Sequence, residues 1–491
     1  MNGHEKSDRA ILATKRANKT GRLVAESVER RAWTEGSADQ HNTRRAQDRE
    51  SVSHALARIR QAARLNKKEQ FTSLLHHINP EMLRTAFFAL KRNAAPGVDG
   101  ETWRTYDEGL DMKIAALHTK VQSGAYRAQP ARRQFIPKAD GKRRPLAIAA
   151  VEDKIVQRAT TMVLNAIYEE DFLGFSYGFR PGRSQHDALD ALAVGISTRK
   201  VNYILDADVQ SFFDEVSQIW LATFLEHRIR DPRILRLIQK WLKAGVLDEG
   251  VVAVSDKGTG QGSVISPLLA NIYLHYVFDL WAERWRRREA HGDMIIIRYA
   301  DDIIAGFEHE DDARRFWEQM RERLREFALT LHPQKTRLIE FGRHAAARRN
   351  ERGLGKPETF TFLGFTHICG RSRTGKFLLT RKSRRDRMRA KLAEIKEVLR
   401  RGMHRPIPAQ GKWLRQVVSG YFAYHAVPNN GRSLQAFLYY VTVIWQRTLR
   451  RRSQKDDFTL ERARKLADEW LPKPRILHPW PDVRFAVRHP R

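Results

Sequence analysis

The stretch Met294–Phe307, MIIIRYADDIIAGF, sets two adjacent carboxylates, Asp301 and Asp302, into an otherwise apolar run. An ionised carboxylate in a low-dielectric setting costs several kcal/mol unless something compensates it. A second acidic stretch, VNYILDADVQSFFDEV, begins at Val201. Read as a strand over 203–209, it turns Tyr203, Leu205, Ala207 and Val209 one way and Ile204, Asp206 and Asp208 the other. The chain between the two stretches is long enough to return and lay them side by side, so their carboxylates can converge. Converging carboxylates bind hard divalent cations through oxygen, and the cations neutralise the charge. With a polyanionic partner, the chemistry that follows is two-metal phosphoryl transfer, with the ions ~3.5–4 Å apart.

Composition points to such a partner. Lys and Arg number 89 against 57 Asp and Glu, a formal charge of +32, so a long polyanion such as nucleic acid is expected. The 491 residues, 42% of them hydrophobic, can fill two or three cores. No uncharged apolar run approaches the ~18 residues of a spanning helix, and the opening MNGHEKSDRA lacks the apolar core of a signal peptide. A membrane partner is therefore not expected. Cys369 is the single cysteine, which leaves no intramolecular disulfide or cysteine-based zinc site and fits a reducing compartment.

The elements that must carry these residues follow from periodicity and turn chemistry. Residues 1–65 are rich in charge and poor in large apolar groups, and are expected to form a basic, partly disordered arm. Asn79 and Pro80 read as N-cap and first helical residue, with Met82, Leu83, Ala86, Phe87 and Leu90 at helical spacing. In RRQFIPKADGKRRPLAIAA, Asp140-Gly141 separates two strand-like runs, a hairpin signal. Lys138, Lys142, Arg143 and Arg144 crowd that hairpin and read as a phosphate clamp. A helix is expected from VEDKIVQRATTMVLNAIYEE. Further on, RKSRRDRMRAK (381–391) is densely cationic, while Met388, Leu392, Ile395 and Leu399 form a helical stripe. That predicts a packed face backed by phosphate contacts. Trp413, Tyr421, Phe422, Tyr424, Tyr439, Tyr440 and Trp445 are interleaved with arginines, and are expected to be mostly helix-bundle core, with the remainder free to stack on unpaired bases.

Six blocks in order, FIPKADGKRRPLAI, YGFRPGRSQHDAL, QGSVISPLLANIYL, RYADD, LTLHPQKTRL and FLGF, resemble those of group II intron reverse transcriptases, also called maturases. The resemblance runs from about Phe71 onward. It implies an α+β chain with a right-hand polymerase fold, fingers and palm, followed by an α-helical thumb/maturase domain. The spans it implies are a fingers region with an N-terminal extension over 66–200, a palm over 201–370 and an RNA-binding thumb/maturase region over 371–491. An HNH-type endonuclease, which such proteins often carry, is not expected here.

Carried over position by position, the resemblance makes Asp208, Asp301 and Asp302 the catalytic carboxylates and, with the Val209 carbonyl, the metal ligands. It selects Asp208 over Asp206 because the aromatic Phe213 follows five residues later. Phe213 is then the ring beneath the incoming sugar, excluding a ribose 2′-hydroxyl. Gln261 and Gly262 match the residues at the nascent base pair, Lys138 and Arg144 the triphosphate clamps, and Lys335 a lysine near the leaving pyrophosphate. The Ser266-Pro267 pair matches the group II pattern. Two Mg2+ ions are implied, with Mn2+ as an alternative. The implied partners are group II intron RNA, an RNA template, a DNA primer and dNTPs, in a bacterial cytoplasm. The implied activity is an RNA-directed DNA polymerase that also assists splicing. A maturase with a vestigial polymerase site is the other reading, and the same polymerase used in defence a third.

Overall fold

The structure, a computed structural model, describes residues 35–137, 143–248, 250–452 and 458–488. It is a mixed helix-and-sheet chain, with a unit boundary between His54 and Ala55. Glu35–Leu65 form one helix of 31 residues, which corrects the expectation of a partly disordered arm over that part. Its sequence is rich in Ala and Arg, which favour helix individually, and Val52, Ile59 and Ala63 are buried at helical spacing. The helix Pro80–Phe88 starts as expected: the Asn79 side chain accepts from the Met82 N–H at 2.8 Å, and Met82, Leu83, Ala86 and Phe87 are buried. Leu90 lies beyond its end.

Strands β1 (Ala131–Pro137) and β2 (Arg143–Ile148) pair antiparallel up to Pro137 opposite Arg143. The turn with Lys138, Asp140, Gly141 and Lys142 lies outside the described residues; Arg144 stands on β2 opposite Ile136. The helix Val151–Asp171 follows and is buried along most of its length.

The sheet that carries the acidic residues combines β3 (Tyr203–Asp208) with three later strands. Between them come β4 (Val246–Asp248) and β5 (Val251–Ala253), which extend the β1–β2 sheet in the order β2-β1-β4-β5. Strands β6 (Met294–Tyr299), β7 (Asp302–Phe307) and β8 (Arg337–Glu340) then join β3 in the antiparallel order β6-β7-β3-β8. Register opposes Ile204 to Gly306 and Ile339, and Ile297 to Ile304, so these residues share one face. That face packs on Ala188, Leu189 and Leu192 of the helix Gln185–Thr198. Apolar β-branched residues at alternate positions thus bury one side of the sheet, while its ends remain free for polar groups.

Strands β9 (Phe360–Phe362), β10 (Phe365–Arg371) and β11 (Phe377–Ser383) form a separate three-stranded sheet. The expected domain boundary at residue 370 falls inside its β10–β11 hairpin, and the change to helix comes after Ser383. Helices Arg385–Arg401, Ile407–His425, Gly431–Arg450 and Leu460–Trp470 then enclose a second core around Ile395, Leu414, Phe437 and Trp445. Tyr421 and Phe422 are buried in it, and Trp413 packs against it, whereas Tyr439 and Tyr440 are exposed. Arg381, expected among solvent-facing cations, is buried on β11 and donates to Asp190 at 2.9 Å. Among the described residues no helix is long and apolar enough to cross a membrane.

Candidate active site

Tyr299 and Asp302 are paired across β6 and β7, so Ala300 and Asp301 are the two-residue loop of a tight hairpin. Ala300 has φ +57°, as the primed turns that match strand twist require at their first position. The two adjacent carboxylates are therefore at the end of the sheet and not inside its core. The segment before Phe179 runs against this loop: Tyr177 N–H donates to the Arg298 carbonyl at 2.8 Å. A Cβ on Gly178 would lie 2.2 Å from the Ala300 nitrogen, so only glycine allows that approach.

The ionised group of the apolar run that is fully buried is Arg298, a residue the sequence reading did not single out. Its guanidinium donates to both Asp279 oxygens at 2.7 and 2.6 Å, to Asn271 Oδ1 at 3.0 Å and to Ser176 Oγ at 2.7 Å. It also donates to the Ala300 carbonyl at 3.0 Å, which ties the carboxylate loop to the scaffold. Asp279 reaches it from a π-helical stretch, His275–Asp279, that continues the helix Ser266–Leu274. The signal available in the sequence was the same as for Asp301: a charge inside MIIIRY.

Asp208, the last residue of β3, is register partner to Asp302, the first of β7, so their side chains leave the same face. Asp206, two residues earlier on the same face of β3, stands opposite Arg337 on β8 with an ion pair at 3.8 Å. Desolvation, with a smaller push from Asp208, nonetheless raises the Asp206 carboxyl to about 6. Asp302 is pushed up to about 7, first by desolvation and then by Asp301, Asp208 and Asp206. Its surface is exposed although protein surrounds the group on most sides, and both the crowding and the neighbouring negative charge act upward. Lys335 Nζ donates to Asp208 Oδ2 at 2.8 Å. Val209 is buried and bridges Leu331.

Carboxylate oxygens crowded enough to hold back one another's ionisation are the donor set for a hard divalent cation, and Lys335 already supplies a positive charge at one of them. Among the described residues no three His, Cys, Asp or Glu side chains gather as a metal cage. The residues fit a cation that completes its shell with water and substrate oxygens.

Phe213 belongs to the short helix Phe212–Glu215 just after β3; Phe212 is buried while Phe213 is half-buried. Phe213 and Gln261 line one cleft of about 280 Å³, together with Ala147 and Gln157. Asp208, Asp301 and Asp302 are not among its lining residues. Three contacts set the loop that carries Gln261. The Gln261 carbonyl accepts from Ala147 N–H at 2.7 Å, Gln157 Oε1 accepts from Ser263 Oγ at 2.8 Å, and the Phe213 carbonyl accepts from Thr259 N–H at 3.0 Å. Ser266 Oγ donates back to the Gly260 carbonyl at 3.0 Å. Gly262 has φ +114°, and a Cβ there would lie 2.7 Å from the Ala147 carbonyl oxygen. The close approach that requires glycine is thus to β2. The structure accordingly groups Asp208, Asp301, Asp302 and Lys335 at one sheet end, and Phe213, Gln261 and Gly262 around a neighbouring cleft.

Residues 136–367, the span holding this sheet end and cleft, match the family described as reverse transcriptase (RNA-dependent DNA polymerase). The chain therefore has an α+β reverse transcriptase fold, in a family that generally works with divalent metal ions. Protein YkfC of Escherichia coli is 39% identical over 201 residues, 40% of this chain and 53% of its own. Group II intron-encoded protein LtrA of Lactococcus lactis subsp. cremoris is 31% identical over 305 residues, 59% of this chain and 50% of its own. Putative COX1/OXI3 intron 1 protein of Saccharomyces cerevisiae is 25% identical over 446 residues, 77% of this chain and 52% of its own. The chain is thus similar to a group II intron-encoded protein and to an intron protein, around a segment that matches the reverse transcriptase family. It spans about half the length of these curated relatives.

Proposed function

We propose that this chain is an RNA-directed DNA polymerase that copies group II intron RNA into DNA and assists splicing of that RNA. The observation that carries the reading is the pairing of Asp208 with Asp302 at one sheet end, beside a cleft walled by Phe213 and Gln261. In this reading Asp208, Asp301, Asp302 and the Val209 carbonyl hold two Mg2+ ions, which lower the charge barrier to phosphoryl transfer when bound. The protein's own residues do the rest. Gln261 and Gly262 set the floor of the nascent base pair, and Phe213 leaves no space for a ribose 2′-hydroxyl. Lys335 delivers a proton toward the leaving pyrophosphate, and Lys138 and Arg144 hold the triphosphate.

The same reading assigns a right-hand arrangement: fingers over 66–200, palm from 201 to Ser383 and a helical thumb/maturase region beyond. Exposed Tyr439 and Tyr440, with the cations of Arg385–Arg401, support an RNA-facing thumb. The net charge of +32 suits a cytoplasmic protein bound to nucleic acid. Extension of a DNA primer on an RNA template with Mg2+ and dNTPs tests the reading; folded protein that extends no primer with any divalent ion would refute it.

A further inference from the structure

Phe179 combines two features that stability alone does not favour. It has φ +59°, a left-handed conformation that a bulky aromatic rarely adopts, and it is 51% exposed. The strain is maintained from both sides. Ahead of it, Gly178 is locked against Ala300, and its carbonyl accepts from Asn271 Nδ2 at 2.7 Å. Behind it, buried Arg180 donates to the Leu173 and Ser176 carbonyls at 2.8 and 2.9 Å and to Glu169. Between these anchors the Phe179 ring stands edge-to-face with Phe213, centroids 6.4 Å apart and planes at 76°. Phe212 approaches Phe213 at 5.5 Å and 65°. Phe213 is thus braced by the buried Phe212 ring and by the exposed Phe179 ring.

We propose that Phe179 is a positioning residue for sugar selection: a strained turn anchored to the carboxylate hairpin holds its ring against Phe213 and fixes the wall that the incoming sugar meets. The inference rests on the reading of Phe213 as the sugar wall. It also links that wall to the hairpin, because the segment that presents Phe179 is the one pinned to Arg298 and Ala300. A ring free to rock would open space for a 2′-hydroxyl part of the time, whereas a braced ring keeps that space closed.

The test incorporates 4-fluorophenylalanine at position 213 of the full chain and reads its 19F resonance in the parent, Phe179→Ala, Phe179→Gly and Phe179→Tyr proteins. Primer extension with dNTPs and rNTPs is measured alongside. Phe179→Ala should shift and sharpen the resonance and relax dNTP selectivity by about tenfold, the order that one aromatic pair supplies. Phe179→Tyr should preserve both. Phe179→Gly, which is at ease at positive φ, should relax selectivity without lowering the thermal midpoint, as loss of a purely structural residue would. Added to Phe213→Ala, Phe179→Ala should cause no further relaxation. An unmoved resonance, additive effects, or relaxed selectivity in Phe213→Ala alone overturns the inference. Unchanged selectivity in both Phe213→Ala and Phe179→Ala overturns the sugar-wall reading and the inference with it.

Discussion

Lys335 Nζ is 2.8 Å from Asp208 Oδ2, so the last carboxylate of β3 is held by an ammonium at the place where a metal ligand is proposed. A cation arriving there competes with Lys335, and once displaced the lysine is free to turn toward substrate. Lys335→Ala should therefore tighten Mn2+ binding, read by electron paramagnetic resonance, while slowing kcat by about 10²-fold as a lost proton donor does. Weaker metal binding would show that Lys335 helps to build the site.

Arg298 and Asp279 are both fully buried, and the pair holds the loop that carries Asp301 through the Ala300 carbonyl. Arg298→Met leaves the Asp279 charge unpaired and should destabilise by about 3–5 kcal/mol in urea titration. Arg298→Met combined with Asp279→Leu should regain much of that stability yet remain slow in catalysis, because the Ala300 carbonyl is still released. Full activity in the double variant would contradict the positioning role.

Among the described residues burial holds five histidines neutral: His186 and His367 are lowered to about 3, His77, His275 and His425 to about 4. In the unfolded chain each titrates near ~6.5, so below that pH the unfolded state takes up protons that the folded state refuses. The histidines' contribution to stability should be complete above about pH 6.5 and fall as the pH drops toward about 4, opposite in sign to that of the raised carboxyls Asp206 and Asp302. The His367 ring is fully buried and stacks on Phe360 at 4.7 Å, so His367→Leu should flatten the slope of urea midpoint against pH. An unchanged slope would move the effect to the other four.

Arg384 is paired with Asp386 at 2.6 Å, whereas Arg385 and Arg387 stand on the exposed side of the helix Arg385–Arg401. Replacing Arg385 and Arg387 by Gln should reduce the slope of log affinity against log salt for RNA by about 1.4–1.8, the worth of two phosphate contacts. An unaltered slope would make them a solvated face only.

The carboxylate hairpin was legible in sequence because charge inside an apolar run is rare, and β3 because Asp206 and Asp208 alternate with Leu205 and Ala207. Asn79 and Pro80 announced their helix through local chemistry. Arg298 was missed although it breaks the same run, since its partner Asp279 lies on a separate helix and no local pattern reveals it. Arg381 was misjudged for a related reason: a cationic run does not say which members fall on a strand face, and its partner Asp190 is far off in sequence. The helix from Glu35 was hidden because its buried stripe, Val52, Ile59 and Ala63, is thin and set among many charges.

The most direct measurement is primer extension on an RNA template by the parent protein and by Asp301→Ala, with RNA affinity and thermal midpoint taken on the same preparations. In the proposed reading the carboxylates would serve bond making and cations elsewhere on the chain would grip RNA, so the two activities should separate. The account predicts metal-dependent extension by the parent, no detectable extension by Asp301→Ala, and RNA affinity that is unchanged or slightly higher once a negative charge is gone. Extension by Asp301→Ala at the parent's rate, or loss of RNA binding together with synthesis in a folded protein, would contradict it.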